Sequence, residues 1–280
     1  MTAAPLLPEI RVTERADAAE TRAFLERDRL LAAYALADID PAAGDPARWW
    51  LAYRGDEPVA CALLVEVLPF RPCFVTGEPE AVATILRESL REPRIVVAGP
   101  TPCRLAIESV YRFERCDRMQ RMVVDARSFR PRVSHDVVRL GPERVGDVVD
   151  LYGHVSRSYF TTERLAREIY FGAYAGGTLV AAAGTHVRSR AASVAAVGNV
   201  LTRVSYRGRG MATSVTSAVT EAALEDHRDV VLNVRQDNHP AVAVYQRLGY
   251  RTHAPFIEGP ALRRAAWDRL TTKIFGRGNV

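Results

Sequence analysis

An arginine-glycine turn, Arg207-Gly208-Arg209-Gly210, is the stretch of this sequence best suited to chemistry. It follows an apolar run over residues 194–204 that predicts a strand. A helix is predicted directly after it, because apolar residues recur at helical spacing: Met211, Val215, Ala218 and Ala222. A helix that starts at such a turn points unpaired N–H groups outwards, and glycines let an anion approach the backbone closely. We therefore predict a pyrophosphate site here, with Arg203, Arg207 and Arg209 adding positive charge.

A second motif follows the next predicted strand, 230–234. Asn238-His239-Pro240 is typical of a helix start, and Gly249 is typical of a helix end. Between them, apolar residues again recur at helical spacing: Ala241, Val244, Tyr245 and Leu248. Spacing alone favours a packing role for Tyr245 and a capping role for Asn238.

Together, the two motifs resemble the GCN5-related N-acetyltransferase superfamily. Arg207-Gly208-Arg209-Gly210-Met211-Ala212 is similar to its Arg/Gln-x-x-Gly-x-Gly/Ala acyl-CoA signature, and Asn238…Ala241…Tyr245…Leu248-Gly249-Tyr250 is similar to its next block. The sequence around the turn is most similar to that of the FR47-like branch, although Val204 stands near where that branch commonly has a proline. The resemblance covers roughly residues 135–258.

The resemblance implies an α/β (α+β) fold with a mixed, mostly antiparallel sheet flanked by helices. It also implies acetyl-CoA or another acyl-CoA as cosubstrate, and no metal. The main chain of Val200, Leu201 and Thr202 would pair with the pantetheine arm like an added strand, with an N–H there facing the thioester oxygen. The implied cofactor-binding residues are Val200, Leu201, Thr202, Arg207, Gly208, Arg209, Gly210, Met211, Ala212, Thr213 and Asn238.

Acyl transfer by direct attack of an amine needs a proton donor for the leaving thiolate and a base for the amine. The resemblance gives Tyr245 the role of acid, since a phenol with a pKa of about 10 can protonate a thiolate whose conjugate acid lies at about 8.5. The base stays open, and its candidates are Glu163, Glu168, His186, Glu258 and a chain of water molecules. The acceptor stays open as well, between a small-molecule amine, an amino acid and a protein amine.

The first half of the sequence repeats the order of predicted elements found in the second half, which suggests two tandem domains of this fold. We expect a degenerate domain over 1–130, a linker at 128–134, a catalytic domain over 135–260 and a C-terminal helical tail over 261–280. At an offset of 134 residues, a helical Tyr111 falls on Tyr245, and residues 73–78 fall on the arginine-glycine turn. Glu78 and Glu80 then stand where a phosphate would bind, so the chain is expected to bind one CoA. A chance match between two ordinary halves stays open.

Composition limits the classes of protein further. The 280 residues are 48% apolar and 25% charged, enough for one large domain or two of ordinary size. No apolar run approaches the roughly 18 residues of a membrane span, and the N-terminus has no signal-peptide pattern, so we expect a cytoplasmic protein. The net charge of +5 is interspersed with acidic residues, which argues against nucleic-acid binding, and the four cysteines form no C-x-x-C pair, which argues against a zinc site. An acyl-CoA-binding sensor without catalysis stays open as the alternative to an enzyme.

Overall fold

The protein is described from a computed structural model that covers residues 9–40, 46–66, 70–153 and 156–265. Its helices are α1 (Ala18–Glu26), α2 (Ala33–Asp38), α3 (Pro79–Glu88), α4 (Arg104–Glu108), α5 (Val145–Tyr152), α6 (Thr162–Arg167), α7 (Met211–Leu224) and α8 (His239–Arg247). Its strands are β1 (Ile10–Glu14), β2 (Ala47–Arg54), β3 (Glu57–Val65), β4 (Pro72–Gly77), β5 (Arg94–Pro100), β6 (Tyr111–Phe113), β7 (Asp117–Asp125), β8 (Val137–Arg139), β9 (Tyr170–Ala175), β10 (Thr178–Ser189), β11 (Val194–Thr202), β12 (Asp229–Arg235) and β13 (Arg251–Arg263).

These elements form two compact units, each built from separate stretches of the chain. Unit one contains the described residues of Met1–Arg27, Gly44–Arg118 and Pro255–Val280, and unit two those of Asp28–Ala43 and Met119–Ala254. The described residues 28–40, from the first half of the sequence, therefore belong to unit two, and 255–265, from the second half, belong to unit one. The sequence prediction instead has two continuous domains, 1–130 and 135–260.

In unit one, the strands lie in the order β1, β2, β3, β4, β5 and β13, and β6 pairs with the end of β13. The β4–β5 pair is parallel, and the remaining pairs of this unit are antiparallel. A parallel pair needs a crossover connection, which α3 supplies. One face of α3 buries Val82, Ile85 and Leu86 against the sheet, in a core that also contains Trp50 and Tyr111.

In unit two, the strands lie in the order β8, β9, β10, β11, β12 and β7. The β11–β12 pair is parallel, with α7 as its crossover connection, and the other pairs are antiparallel. Because neighbouring strand residues point to opposite faces, β10 contributes to two hydrophobic clusters. Ala181 and Ala183 join the α7 cluster, which includes Val215 and Tyr245, while Ala182 joins the α5 cluster, which includes Tyr170.

The predicted fold class is confirmed: the chain is mixed α/β, with mostly antiparallel pairing and helices against the sheets. Two predicted helices are wrong in extent. Apolar residues at helical spacing (Phe24, Leu31 and Ala35) predict one helix over 18–36. The chain instead forms α1 and α2, because a carboxylate oxygen of Asp28 accepts a hydrogen bond from the Leu31 N–H (3.1 Å) and fixes a turn between them.

Tyr111 is the second correction, since it lies in strand β6 and not on a helix. Helix α4 ends at Glu108, and β6 pairs with Ala261–Arg263 of β13. This pairing with residues about 150 positions later in the chain overrides the local helical spacing. The predicted tail is also altered: residues 261–263 continue strand β13, and residues 266–280 lie outside the described residues.

Candidate functional site

The strand before the arginine-glycine turn separates from its parallel neighbour part-way along its length. Val194–Val197 of β11 pair with Asp229–Leu232 of β12, and among the described residues the ladder ends there. Strand β11 continues to Thr202, paired on its other side with β10. The edge of β11 that faces β12 is therefore available over residues 198–202 to an added extended chain. This segment contains the predicted pantetheine contacts, Val200, Leu201 and Thr202.

The turn itself places two glycines in the left-handed region of backbone space. Gly208 has φ 76° and Gly210 has φ 85°, a conformation that disfavours other residue types. Gly210 is the N-cap of α7, and no side chain caps this helix start. The N–H groups of Met211, Ala212 and Thr213 thus begin a 14-residue helix at an exposed turn, as an anion site requires.

The three arginines near the turn differ in what they contact. Arg203 is held away from the turn: its guanidinium donates to Asp150 (2.5 Å) and to the carbonyl of Leu179 (3.0 Å). Arg207 is exposed and donates to the Thr202 carbonyl (3.2 Å), and Arg209 is exposed with its guanidinium 5.3 Å from the Tyr206 ring centre. Arg207 and Arg209 therefore contribute positive charge at the turn, and Arg203 contributes to packing.

The segment predicted as a linker forms one side of the turn. The Ser214 hydroxyl of α7 accepts a hydrogen bond from the Ser134 N–H (3.1 Å) and lies 3.0 Å from Nδ1 of His135. A Cβ atom on Gly210 would lie 3.4 Å from the His135 ring. No pattern in the sequence marks His135 as a neighbour of the site.

The second motif forms α8 as predicted. Asn238 is its N-cap, and the side-chain oxygen accepts a hydrogen bond from the Ala241 N–H (3.3 Å). Tyr245 is 7% exposed and lies in the α7 cluster, against which Val200 and Met211 also pack. Burial raises the pKa of Tyr245 to about 12, so its phenol keeps its proton at physiological pH.

The candidate bases occupy very different surroundings. Glu163 is exposed in the first turn of α6, and Glu258 lies on β13 in unit one, opposite Ala98. Glu168 is buried and already engaged, since it accepts a hydrogen bond from Thr185 (2.6 Å) and lies 3.4 Å from Arg167 and 3.5 Å from Arg188. His186 belongs to strand β10, and its ring lies against Gly198 of β11, next to the predicted pantetheine segment.

His186 belongs to an aromatic and polar group that sequence analysis did not find. Its Nδ1 lies 3.3 Å from the Tyr34 hydroxyl, and its ring contacts that of Tyr159 edge-on. The side-chain amide of Asn199 donates a hydrogen bond to the Tyr170 hydroxyl (2.9 Å), and the Tyr152 hydroxyl donates one to the main-chain carbonyl of Asn199. Burial lowers the pKa of His186 to about 4, so the imidazole is neutral at physiological pH.

Two further observations concern groups of side chains and helices. Among the described residues, no cluster of three or more His, Cys, Asp or Glu side chains could hold a metal ion. Within the same part of the chain, every helix is too short or too polar to cross a membrane.

This geometry can be set beside known proteins. Residues 144–250 match the Acetyltransferase (GNAT) family. The match to the GNAT family extends from the start of α5 to Tyr250 and includes β11, the arginine-glycine turn, α7 and α8. No curated protein matches the chain.

Several solved structures share the fold. A Drosophila protein aligns with a TM-score of 0.65 at 13% identity, over 90% of this chain and 98% of its own. The tandem GNAT protein from the clavulanic acid biosynthesis pathway aligns with a TM-score of 0.55 at 17% identity, over 91% and 98%. A GCN5-related N-acetyltransferase from Sphaerobacter thermophilus aligns with a TM-score of 0.55 at 17% identity, over 93% of this chain and 98% of its own. At these identities the likeness concerns the fold.

Proposed function

We propose that the protein is an acyl-CoA-dependent N-acyltransferase, with acetyl-CoA as the preferred donor. One observation supports this most: an uncapped helix start with two left-handed glycines directly follows a strand whose edge is available for pairing. The first feature suits a pyrophosphate and the second suits the amide-containing pantetheine arm. The match of this segment to the GNAT family supports the same assignment.

In the proposed complex, the pyrophosphate binds the N–H groups of residues 211–213, with Arg207 and Arg209 beside it. The pantetheine arm pairs with Val200, Leu201 and Thr202, and an N–H of this segment stabilises the oxyanion that forms at the thioester carbonyl. The amine nitrogen attacks the carbonyl carbon and gives up one proton to a base, the C–N bond forms and the C–S bond breaks. Tyr245 gives its proton to the leaving thiolate and regains one from solvent. Asn238 keeps its capping role and contributes a cofactor contact.

Unit one is proposed to be a GNAT-like domain that has lost its cofactor site. Its helix α3 starts with Glu78 at the N-cap and Glu80 in the first turn, and Arg54 lies 2.9 Å and 3.2 Å from their carboxylates. These carboxylates already satisfy the positive end of the helix dipole and would repel a phosphate. We therefore propose that each chain binds one acyl-CoA. We also propose that the protein is a tandem member of the FR47-like branch, that its acceptor is an amine and that it acts in the cytoplasm.

An acyl-CoA-binding sensor is the alternative, and the burial of Tyr245 is the observation that favours it, because a buried phenol can be a packing group only. Incubation with acetyl-CoA and a panel of amines, read out as thiol release, separates the two. An enzyme releases CoA thiol in proportion to one class of amine and loses this activity in Gly210→Glu. CoA binding without thiol release for any amine would favour the sensor.

A further inference from the structure

Two β-bulges face each other on the hairpin beside the predicted thioester position. Between the Ala182–Leu201 and Gly184–Gly198 pairs, β11 advances three residues while β10 advances two. Between the Thr185–Val197 and Val187–Ala196 pairs, β10 carries the extra residue, which is His186. Bulges re-aim side chains and are frequent next to active sites. Here they bring the side chains of His186 and Asn199 to the same residue, Tyr159.

The two glycines between the bulges make room for the rings of His186 and Tyr170. Gly184 and Gly198 are directly opposite each other, so their missing side chains would project from the same face of the sheet. A Cβ atom on Gly198 would lie 2.4 Å from Nε2 of His186, and one on Gly184 would lie 2.2 Å from the Tyr170 ring. The His186 imidazole therefore lies against the backbone of β11 at Gly198, the residue before Asn199.

The two nitrogens of His186 have different surroundings. Nδ1 lies 3.3 Å from the Tyr34 hydroxyl, which comes from α2. Nε2 is buried and makes no hydrogen bond of good geometry among the described residues, although the Asn199 side chain lies close enough to the ring to raise its pKa. An unpartnered buried nitrogen is costly in a protein interior. His227 has one too, but only the Nε2 of His186 lies against Gly198 of β11, where an acyl chain paired with that strand would bring the acceptor amine.

We propose that Nε2 of His186 is the base that accepts the proton of the acceptor amine, with Tyr34 positioning the imidazole. The inference rests on the proposed acyltransferase function and adds the residue which that function lacks. With its ring proton on Nδ1, donated to the Tyr34 oxygen, His186 presents a lone pair at Nε2. As the C–N bond forms, the amine proton transfers to Nε2, and the imidazolium later returns it to water.

The location of His186 relative to Tyr245 suits this division of roles. Val200 packs against the α7 cluster that contains Tyr245, whereas Asn199 hydrogen-bonds to Tyr170 of the α5 cluster. The acid and the base thus lie on opposite faces of the sheet, with residues 198–202 of β11 between them. A thioester held along this segment would meet the amine from the His186 face and lose its thiolate on the Tyr245 face.

The surroundings of His186 keep its imidazole neutral at physiological pH, and they also make the imidazolium that forms during transfer short-lived. The groups that face the ring are Tyr34 from α2, Tyr159 and Arg164 from the segment around α6, and Asn199 from β11. Burial is the largest cause of its lowered pKa, the guanidinium of Arg164 lowers it further, and the Asn199 amide opposes the shift. Burial and the nearby Arg164 guanidinium both disfavour a second positive charge, so an acceptor beside His186 is expected to bind as the free amine.

The test uses the full chain and whichever amine the thiol-release panel identifies. His186→Gln should lower kcat by about 100-fold to 10,000-fold, the usual contribution of a positioned base, and change the affinity for CoA by no more than about twofold. His186→Ala should regain activity with added imidazole, which a structural role would not produce. Tyr34→Phe should lower kcat by about tenfold, and the control His227→Gln, at a buried histidine bonded to the Ala223 carbonyl, should not change turnover.

Nitrogen NMR of the imidazole in the wild-type protein tests the inference without any variant. It should show a neutral ring with its proton on Nδ1; a proton on Nε2 would overturn the assignment. Wild-type turnover in folded His186→Gln, or loss of activity in His186→Ala that imidazole does not restore, would also overturn it and leave the proposed function intact. A wild-type protein that binds CoA but releases thiol with no amine would instead overturn the proposed function, and the base assignment with it.

Discussion

The starts of helices α3 and α7 show how the same topology can have opposite chemistry. Each helix connects the two strands of a parallel pair, β4 and β5 in unit one, β11 and β12 in unit two. Neither helix start has a side-chain cap, but α3 starts with two carboxylates bound to Arg54, whereas α7 starts at Gly210 with no acidic residue in its first turn. The backbone supplies a helix N-terminus in both units, and the side chains determine whether an anion can use it.

The hairpins beside these helices differ in the same way. In unit one, β3 and β4 pair in regular register from Ala60–Gly77 to Leu64–Cys73. In unit two, the corresponding β10 and β11 carry the two bulges that place His186 and Asn199. The unit with the available helix start is thus also the unit with a reshaped strand pair. Cofactor anchoring and proton transfer are therefore expected to reside in unit two alone.

The largest expected effect comes from making the α7 start resemble the α3 start. Gly210→Glu adds a carboxylate at the N-cap and a side chain at φ 85°, and CoA affinity should fall by at least about 100-fold, or ~3 kcal/mol. Gly55→Glu is the matched control, because Gly55 of unit one is also left-handed (φ 63°) and has no atom within 4 Å of an added Cβ. It should leave CoA affinity unchanged. A folded Gly210→Glu protein with wild-type affinity would contradict the site.

Comparing the buried tyrosines of the two units gives the next effect. Tyr245→Phe should lower kcat by about 10-fold to 10,000-fold and leave CoA affinity within about twofold, because only the hydroxyl that supplies the proton is removed. Tyr111→Phe is its control in unit one, where the hydroxyl donates to the Glu92 carbonyl (2.9 Å) and burial also raises the pKa to about 12. Wild-type turnover in Tyr245→Phe, with chemistry limiting the rate, would make Tyr245 a packing residue.

The smallest expected effect is a pH dependence of the unfolding free energy that arises from His186 in unit two. The pKa of His186 is about 4 in the folded protein and about 6.5 unfolded, so between these values the unfolded chain binds a proton that the folded chain does not. The unfolding free energy should therefore fall as the pH drops from about 6.5 to about 4, by at most about 3 kcal/mol from this group. Denaturant titrations at several pH values in this window should show that the unfolding free energy falls more steeply with decreasing pH in the wild type than in His186→Gln. The same pH dependence in both proteins would show that the His186 imidazole is already charged or well solvated.

The sequence predicted those parts of the site that depend on neighbouring residues. The turn at Gly208 and Gly210, the start of α7 and the cap of α8 at Asn238 all follow from local backbone requirements. Tyr34 could not be predicted, because it meets His186 across 152 residues of sequence. The bulges could not be predicted either, since one inserted residue leaves no periodic pattern in a strand. Tyr111 was misassigned because its pairing with β13 overrides its helical spacing.

Calorimetric titration with CoA tests most directly whether unit two alone binds the cofactor. We expect a stoichiometry near one CoA per chain for the wild type, no binding in Gly210→Glu and one CoA per chain again in Gly55→Glu. A stoichiometry near two, or a Gly210→Glu protein that keeps half of the original capacity, would show that the α3 helix start of unit one also binds CoA in spite of Glu78 and Glu80.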